Sequence, residues 1–190
     1  EAQLIGAVNT VLNDNGKLIG YNTDGYGFMQ SVRDAGHDIT GKNITVMGVG
    51  GASMAICAQS ALDGAASVHI FARRTSRYWN RTQKFTENLS AKTGCQVCLF
   101  DNDDHTALRD SIAQSYLLIN ATSVGMVPDI DDTIIKDTSL FHPELVVADV
   151  VYEPQETRLL REAKAAGCQT FNGMYMLLHQ GAKAFQIWTG

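Results

Sequence analysis

The sequence has few of the features that mark membrane, secreted or metal-binding proteins. Of its 190 residues only three are proline and two are tryptophan, and no apolar run approaches the length of a membrane span. The four cysteines match neither a disulfide framework nor a zinc pattern, and the five histidines show neither metal spacing nor a local triad. No secretory leader is visible. We therefore expect a protein of the reducing cytoplasm, with no metal and no membrane partner.

Two short motifs suggest a metal at first sight. Cys95 and Cys98 form a C-x-x-C pair, but they fall in a predicted strand, where side chains three positions apart point to opposite faces. The aspartate-rich residues 101–104 lack the later glycine and glutamate of a calcium loop and are interpreted as the start of a helix. Neither motif predicts a metal site.

Positive charge is also scarce. The chain has 15 lysines and arginines against 20 aspartates and glutamates, a formal net charge of −5. This balance argues against a nucleic-acid surface. The composition, 45% hydrophobic and 18% charged, is typical of a globular protein. Because several arginines cluster at one turn, we expect the partner to be a small anionic molecule.

A glycine-rich turn is the most informative feature that is present. Residues 42–47 read as an apolar strand, residues 48–53 are GVGGAS, and an alanine-rich helix is predicted from there to residue 62. Such a turn lets the free amides of a helix N-terminus face a phosphate. Ser53 stands where the third glycine of G-x-G-x-x-G is usual, so a strand, turn and helix without a ligand remain an alternative.

The next predicted strand, residues 67–71, ends in the turn ARRTSR at residues 72–77. An NAD enzyme would carry a carboxylate here for the ribose 2′-hydroxyl, and none is present. Guanidinium forks with hydroxyl donors suit a 2′-phosphate instead, so NADP is favoured over NAD. The alternative is a solvated basic helix start, since Arg81 and Lys84 continue the charge.

Short β-branched runs alternate with helical stretches over the rest of the chain. Strands are predicted at residues 43–48, 67–72, 96–101, 116–120, 145–151 and 168–172. This alternation predicts an α/β fold, a doubly wound parallel sheet with its ligands at the carboxyl ends of the strands. Residues 7–12 and 17–21 predict a separate hairpin, followed by a helix at 24–35, that must pack on a second domain.

The chain resembles the C-terminal two-thirds of the shikimate dehydrogenase family. The motifs that carry this resemblance are GAVNT at 6–10, GYNTDG at 20–25, the glycine turn, NATSVGM at 120–126, DVVYEP at 149–154 and GMYMLLHQ at 173–180. Residues 151–154 and 187–190 and the pair Arg73-Arg74 look closer to the quinate/shikimate branch. The resemblance implies three parts: residues 1–23 from an N-terminal α/β substrate domain, residues 24–172 as a Rossmann-like dinucleotide domain, and residues 173–190 as a helix returning to the substrate domain.

The resemblance also implies an activity. The family is an NAD(P)-dependent oxidoreductase that interconverts shikimate or quinate and the 3-dehydro ketone by hydride transfer, in aromatic amino acid biosynthesis or quinate metabolism. Asp24 matches its catalytic aspartate, which moves a proton beside a lysine. By itself, Asp24 would be read as a helix N-cap. Substrate-binding positions match Asn9, Asp24, Tyr152 and Gln180.

Cofactor-binding positions follow from the same match. They are Val49, Gly50, Gly51, Ala52, Arg73, Arg74, Thr75, Thr122, Ser123, Val150, Val151, Tyr152 and Gly173. The family often has asparagine where Ala72 stands, and its dual-specificity branch can carry aspartate where Thr75 stands. NADP is therefore the expected cofactor, and NAD use stays open.

The family's catalytic lysine lies in a segment before the residues given, and neither Lys17 nor Lys42 matches its motif. We expect these 190 residues alone to bind NADP but not to turn over substrate. The alternative is a dehydrogenase-like ligand-sensing or regulatory module without catalysis. The choice between quinate and shikimate, and the oligomeric state, a homodimer included, stay open.

Overall fold

The hairpin is the first element of the fold. In the computed structural model, which describes residues 2–190, β1 (Thr10–Asp14) pairs antiparallel with β2 (Lys17–Tyr21). Asn15 and Gly16 form the turn, with φ angles of 51° and 91°, as a two-residue type I′ turn requires. The strand predicted at residues 7–12 was misplaced, because this tight turn lets Asp14 pair with Lys17 and shifts β1 toward the turn.

Six further strands form one parallel sheet. The strands are β3 (Asn43–Met47), β4 (Ser67–Ala72), β5 (Gln96–Asp101), β6 (Leu117–Asn120), β7 (Val146–Asp149) and β8 (Gln169–Phe171). Their order is β5-β4-β3-β6-β7-β8. Connections from β3 and from β6 leave in opposite directions along the sheet, which is the doubly wound arrangement. The predicted fold class is confirmed, whereas the three domain boundaries stay predictions.

Helices cover both faces of the sheet. They are α1 (Ala2–Ile5), α2 (Asp24–Asp34), α3 (Gly51–Leu62), α4 (Trp79–Thr93), α5 (His105–Gln114), α6 (Arg158–Ala165) and α7 (Met174–Thr189), with a 3-10 turn at Thr138–Leu140. Asp104 caps α5 by accepting a hydrogen bond from the Ala107 N–H, at 2.9 Å. This contact confirms that the aspartate-rich segment starts a helix.

Alternate side chains of the strands enter two buried cores. Ile44 packs with Phe28 and Ile56 on one face, and Leu118 packs with Phe71 on the other. Each fully buried side chain of this size stabilises the fold by about 1.5–3 kcal/mol. Among residues 2–190, no helix has both the length and the apolarity needed to cross a bilayer.

Helix α2 lies unusually close to its neighbours α3 and α7. A Cβ atom added at Gly25 would lie 2.4 Å from the Ala55 carbonyl oxygen of α3. One at Gly27 would lie 2.7 Å from the Gln180 backbone nitrogen of α7. Real Cβ atoms do not approach so closely, so both positions require glycine. The start of α2 is thereby held against the first turns of α3.

Candidate active site

Two adjoining cavities form one groove along the carboxyl edge of the sheet. The larger, of about 880 Å³, lies at the ends of β3, β4 and β6. The smaller, of about 570 Å³, lies at the ends of β6 and β7. They share Gly50, Ala121, Thr122 and Ser123. The groove thus straddles the switch point between β3 and β6, where doubly wound sheets bind their ligands.

The glycine turn forms the floor where the cavities meet. Gly48 has a φ of 110°, and a Cβ there would lie 2.8 Å from the Ala121 carbonyl oxygen. Added Cβ atoms at Gly50 and Gly51 would meet nothing within 4 Å, so the space before α3 is open. The Ser53 hydroxyl donates to the Gly48 carbonyl at 2.6 Å. Ser53 thus closes the turn at the place of the usual third glycine.

The arginine turn lies at the far end of the larger cavity. Arg73 and Thr75 line it, together with Ser76 and Arg77. The Arg74 guanidinium instead lies over the Trp79 ring, 4.7 Å from its centre. The paired arginines are therefore not equivalent, because only Arg73 is part of the wall. Ser76, expected as a hydroxyl donor of the ARRTSR turn, and Arg77 of the same motif thus lie in the wall beside the predicted Arg73 and Thr75.

The smaller cavity has two loops as its walls. Thr122 and Ser123 come from the loop after β6, and Val150, Val151 and Tyr152 follow β7. Tyr152 is 41% exposed. Gly173 does not line the groove; a Cβ there would lie only 2.0 Å from the Val150 carbonyl oxygen. Among residues 2–190, Arg74 and Gly173 are the predicted cofactor residues that stay off the groove surface.

Asn9 and Asp24 are brought into direct contact. Asn9 Nδ2 donates to Asp24 Oδ1 at 2.8 Å and to Thr23 Oγ1 at 3.1 Å, while Asn9 Oδ1 accepts from the Thr23 N–H at 3.0 Å. Burial raises the pKa of Asp24, and the Asn9 hydrogen bond partly opposes this shift. Asp24 is the first residue of α2 and Thr23 holds the cap position. The capping role suggested for Asp24 is therefore wrong.

Gln180 and Tyr152 are not part of the Asn9–Asp24 contact. The Gln180 side chain donates to the Leu177 carbonyl of its own helix at 3.0 Å. Its backbone lies against Gly27, so α7 is held beside the helix that Asp24 begins. Within residues 2–190, neither Gln180 nor Tyr152 forms a hydrogen bond to Asp24. The four predicted substrate residues therefore divide into one contacting pair and two independent positions.

Two of the four thiols are poor nucleophiles near neutral pH. Burial raises the pKa of Cys57 to about 12 and that of Cys95 to about 11, so both stay protonated near neutral pH. No group of three or more His, Cys, Asp and Glu side chains within residues 2–190 is arranged to hold a metal ion. Tyr78, Asn102 and Glu153 also line the groove.

One buried carboxylate beneath the groove was missed in the sequence. Asp149 ends β7 and is fully buried. It accepts hydrogen bonds from Asn120 Nδ2, the Val151 N–H and Thr157 Oγ1. The signal was present, since an aspartate directly after Val146, Val147 and Ala148 interrupts an apolar strand. Because the Asp149 side chain accepts a hydrogen bond from the Val151 N–H, β7 ends at Asp149. The sequence had predicted that this strand would continue to residue 151.

Known proteins with similar sequences share this architecture. The family described as "Shikimate 5'-dehydrogenase C-terminal domain" matches residues 173–190. A protein of Listeria innocua named shikimate dehydrogenase (NADP(+)) is 52% identical over 188 residues, which cover 99% of this chain and 64% of that protein. The quinate/shikimate dehydrogenase of Escherichia coli O139:H28 is 42% identical, covering 100% of this chain and 65% of its own length.

A solved structure gives the same result. The shikimate 5-dehydrogenase of Listeria monocytogenes, in complex with shikimate and NAD, superposes with a TM-score of 0.96 at 50% identity. The match covers 99% of this chain and 65% of that one. The chain therefore spans just under two-thirds of the length of these relatives. The quinate/shikimate branch stays a prediction, since identity is higher to the relative named shikimate dehydrogenase. Over the length that it spans, the chain belongs to the shikimate dehydrogenase family.

Proposed function

We propose that this chain provides the cofactor site and part of the substrate site of an NADP-dependent dehydrogenase that interconverts shikimate, or quinate, and its 3-dehydro ketone. The observation that carries the proposal is that the Asn9–Asp24 pair lies beside α3, the helix whose first residues form the floor of the groove. Gly25 follows Asp24 and packs on Ala55, one turn beyond Gly51 at the groove floor. A hydroxyl near Asp24 would thus lie close to the inner end of the groove.

The adenosine and pyrophosphate end is assigned to the glycine and arginine turns. The open first turn of α3 offers the backbone of residues 49–52 to the pyrophosphate, where the helix dipole favours negative charge. Arg73 and Thr75 would hold the 2′-phosphate, with Arg74 adding charge from behind. Because β4 is followed by no carboxylate, a ribose 2′-hydroxyl has no acidic partner there. We therefore propose NADP as the preferred cofactor, with weaker use of NAD.

The smaller cavity would hold the nicotinamide, bordered by Thr122, Ser123, Val150, Val151 and the backbone that Gly173 brings close. A bound dinucleotide supplies the hydride acceptor or donor at this end. Tyr152, Gln180 and Asn9 would contact the substrate and orient its reacting carbon toward the groove.

Asp24 would take the proton of the reacting hydroxyl. A carboxylate with an ordinary pKa is a weak base near pH 7, and burial raises the pKa of Asp24 toward the working range. Asn9 fixes the orientation of the carboxylate and leaves its Oδ2 free of side-chain partners within the described residues. The family resemblance supplies a lysine as the second proton-transfer group.

The test is a spectrophotometric assay of the complete gene product with shikimate and quinate, each against NADP+ and NAD+. We expect at least one of the two substrates to reduce the dinucleotide. The reduction of NADP+ should be faster than that of NAD+. Binding of NADP+ without turnover of either substrate would overturn the proposal in favour of a ligand-sensing module. Turnover by material confirmed by mass to be these 190 residues would contradict the expectation that they lack half of the proton-transfer pair.

A further inference from the structure

The two loops that wall the smaller cavity are tied to each other by one buried side chain. Asp149 Oδ1 accepts hydrogen bonds from Asn120 Nδ2 and from the Val151 N–H, both at 3.0 Å. Asp149 Oδ2 accepts from Thr157 Oγ1 at 2.7 Å. Asn120 ends β6, and Thr157 lies beyond the loop that follows β7. One carboxylate thus joins three points of the chain that are distant from one another in sequence.

Asn120 extends the connection into the loop after β6. Its Oδ1 accepts from the Thr122 N–H at 3.1 Å and from Thr122 Oγ1 at 2.7 Å. Its Nδ2 also donates to the Val124 carbonyl at 3.1 Å. The loop that presents Thr122 and Ser123 to the groove is therefore shaped around an amide whose orientation Asp149 fixes.

The loop after β7 is pinned at both ends by the same carboxylate. Asp149 holds the Val151 N–H at the start, and Thr157 at the end caps α6, accepting from the Leu160 N–H at 3.4 Å. Tyr152 lies between these two anchors. Because both ends of the loop are held, Tyr152 and the backbone of Val150 and Val151 have a fixed support.

Packing alone does not account for a charged side chain at Asp149. All three donors to Asp149 are neutral, and burial raises the pKa of its carboxyl while the hydrogen bonds oppose the shift. Burying a carboxylate without a cationic partner costs free energy that an apolar side chain would not. The geometry that the carboxylate imposes on both loops is the compensating gain.

We propose that Asp149 is a positioning residue that fixes the nicotinamide end of the groove by tying its two walls together. The arginine turn after β4, where the 2′-phosphate would bind, lies outside this network, since within residues 2–190 none of its hydrogen bonds involves Arg73 or Thr75. The inference rests on the proposed function. It assigns separate structural support to the two ends of one binding groove.

The test compares two ligands of different length on variants of this network. Calorimetry measures the dissociation constants of NADP+ and of adenosine 2′,5′-bisphosphate, which occupies the adenosine end alone, for the wild type, Asp149→Asn, Thr157→Val and Thr157→Ser. Asp149→Asn keeps the shape and removes the charge. Thr157→Val removes the hydrogen bond to Asp149 together with the cap on the Leu160 N–H, and Thr157→Ser keeps both, so the threonine pair carries the test if Asp149→Asn does not fold.

We expect Asp149→Asn and Thr157→Val to raise the dissociation constant of NADP+ by about tenfold or more. The dissociation constant of adenosine 2′,5′-bisphosphate should stay within about twofold of the wild-type value. Thr157→Ser should behave as the wild type. The matched control is Asp38→Asn at the opposite edge of the sheet, where Asp38 binds the Thr40 N–H and hydroxyl in a similar way; it should change neither constant.

Two failures are distinguishable. If the variants lose only thermal stability, and the ratio of the two dissociation constants stays at the wild-type value, Asp149 is merely structural and the inference is overturned. If the wild type binds neither ligand, the proposed function is overturned, and the inference with it.

Discussion

The Asn9 side-chain amide holds the carboxylate of Asp24 through a hydrogen bond of 2.8 Å. Asn9 precedes β1 and Asp24 begins α2, so the hairpin between them returns the chain to the same point. Gly25 then anchors the start of α2 on α3. The orientation of Asp24 thus depends on the hairpin on one side and on the sheet domain on the other.

Asp24→Asn is expected to abolish turnover while leaving cofactor binding intact. An amide cannot accept the hydroxyl proton, so kcat should fall by about a hundredfold or more in the complete gene product. The Asn9 contact lies away from the groove turns, so the dissociation constant of NADP+ should be nearly unchanged. Unaltered kcat in this variant would remove Asp24 from the mechanism.

Asn9→Ala is expected to change the pH dependence. The Asn9 hydrogen bond lowers the pKa of Asp24 against the upward effect of burial. Without it the pKa rises, so the base form is populated only at higher pH and the acidic limb of kcat/KM moves upward. Asn80→Ala, at an exposed position of α4, is the control. A limb that stays in place or moves to lower pH would refute this coupling.

Arg73→Gln is expected to reduce cofactor discrimination. Loss of a charge-assisted hydrogen bond should raise the dissociation constant of NADP+ by about 10- to 100-fold. The dissociation constant of NAD+ should stay within about twofold of the wild-type value. Because Arg74 stacks on Trp79, Arg74→Gln should have the smaller effect. Arg161→Gln on the exposed side of α6 controls for net charge. Equal losses for both dinucleotides would show that Arg73 does not contact the 2′-phosphate.

Gly25→Ala is expected to destabilise the fold, although alanine favours helices. The added Cβ would meet the Ala55 carbonyl oxygen at 2.4 Å, and relieving such a contact costs about 1–3 kcal/mol. Gly181→Ala is the matched control, since a Cβ there meets nothing within 4 Å; it should stabilise by about 0.5–1 kcal/mol. Urea unfolding of both variants measures the difference. A Gly25→Ala protein as stable as the wild type would mean that α2 is not held so tightly.

Local patterns were sufficient to predict much of this molecule. Alternating strands and helices predicted the parallel sheet, and the segments 48–53 and 72–77 predicted the two turns of the groove. Contacts between distant segments were not predictable in this way. The different positions of Arg73 and Arg74 depend on Trp79, and the role of Asp149 depends on Asn120 and Thr157. The start of β1 was missed because a tight turn, and not the apolar pattern, sets the pairing.

The most direct test of the central claim is equilibrium dialysis of the 190-residue chain against NADP+. Retention of one NADP+ per chain is predicted, displaced by adenosine 2′,5′-bisphosphate and weakened in Arg73→Gln. No retention at millimolar NADP+, or retention that Arg73→Gln leaves unchanged, would contradict the claim that the groove binds the dinucleotide with its 2′-phosphate at the arginine turn.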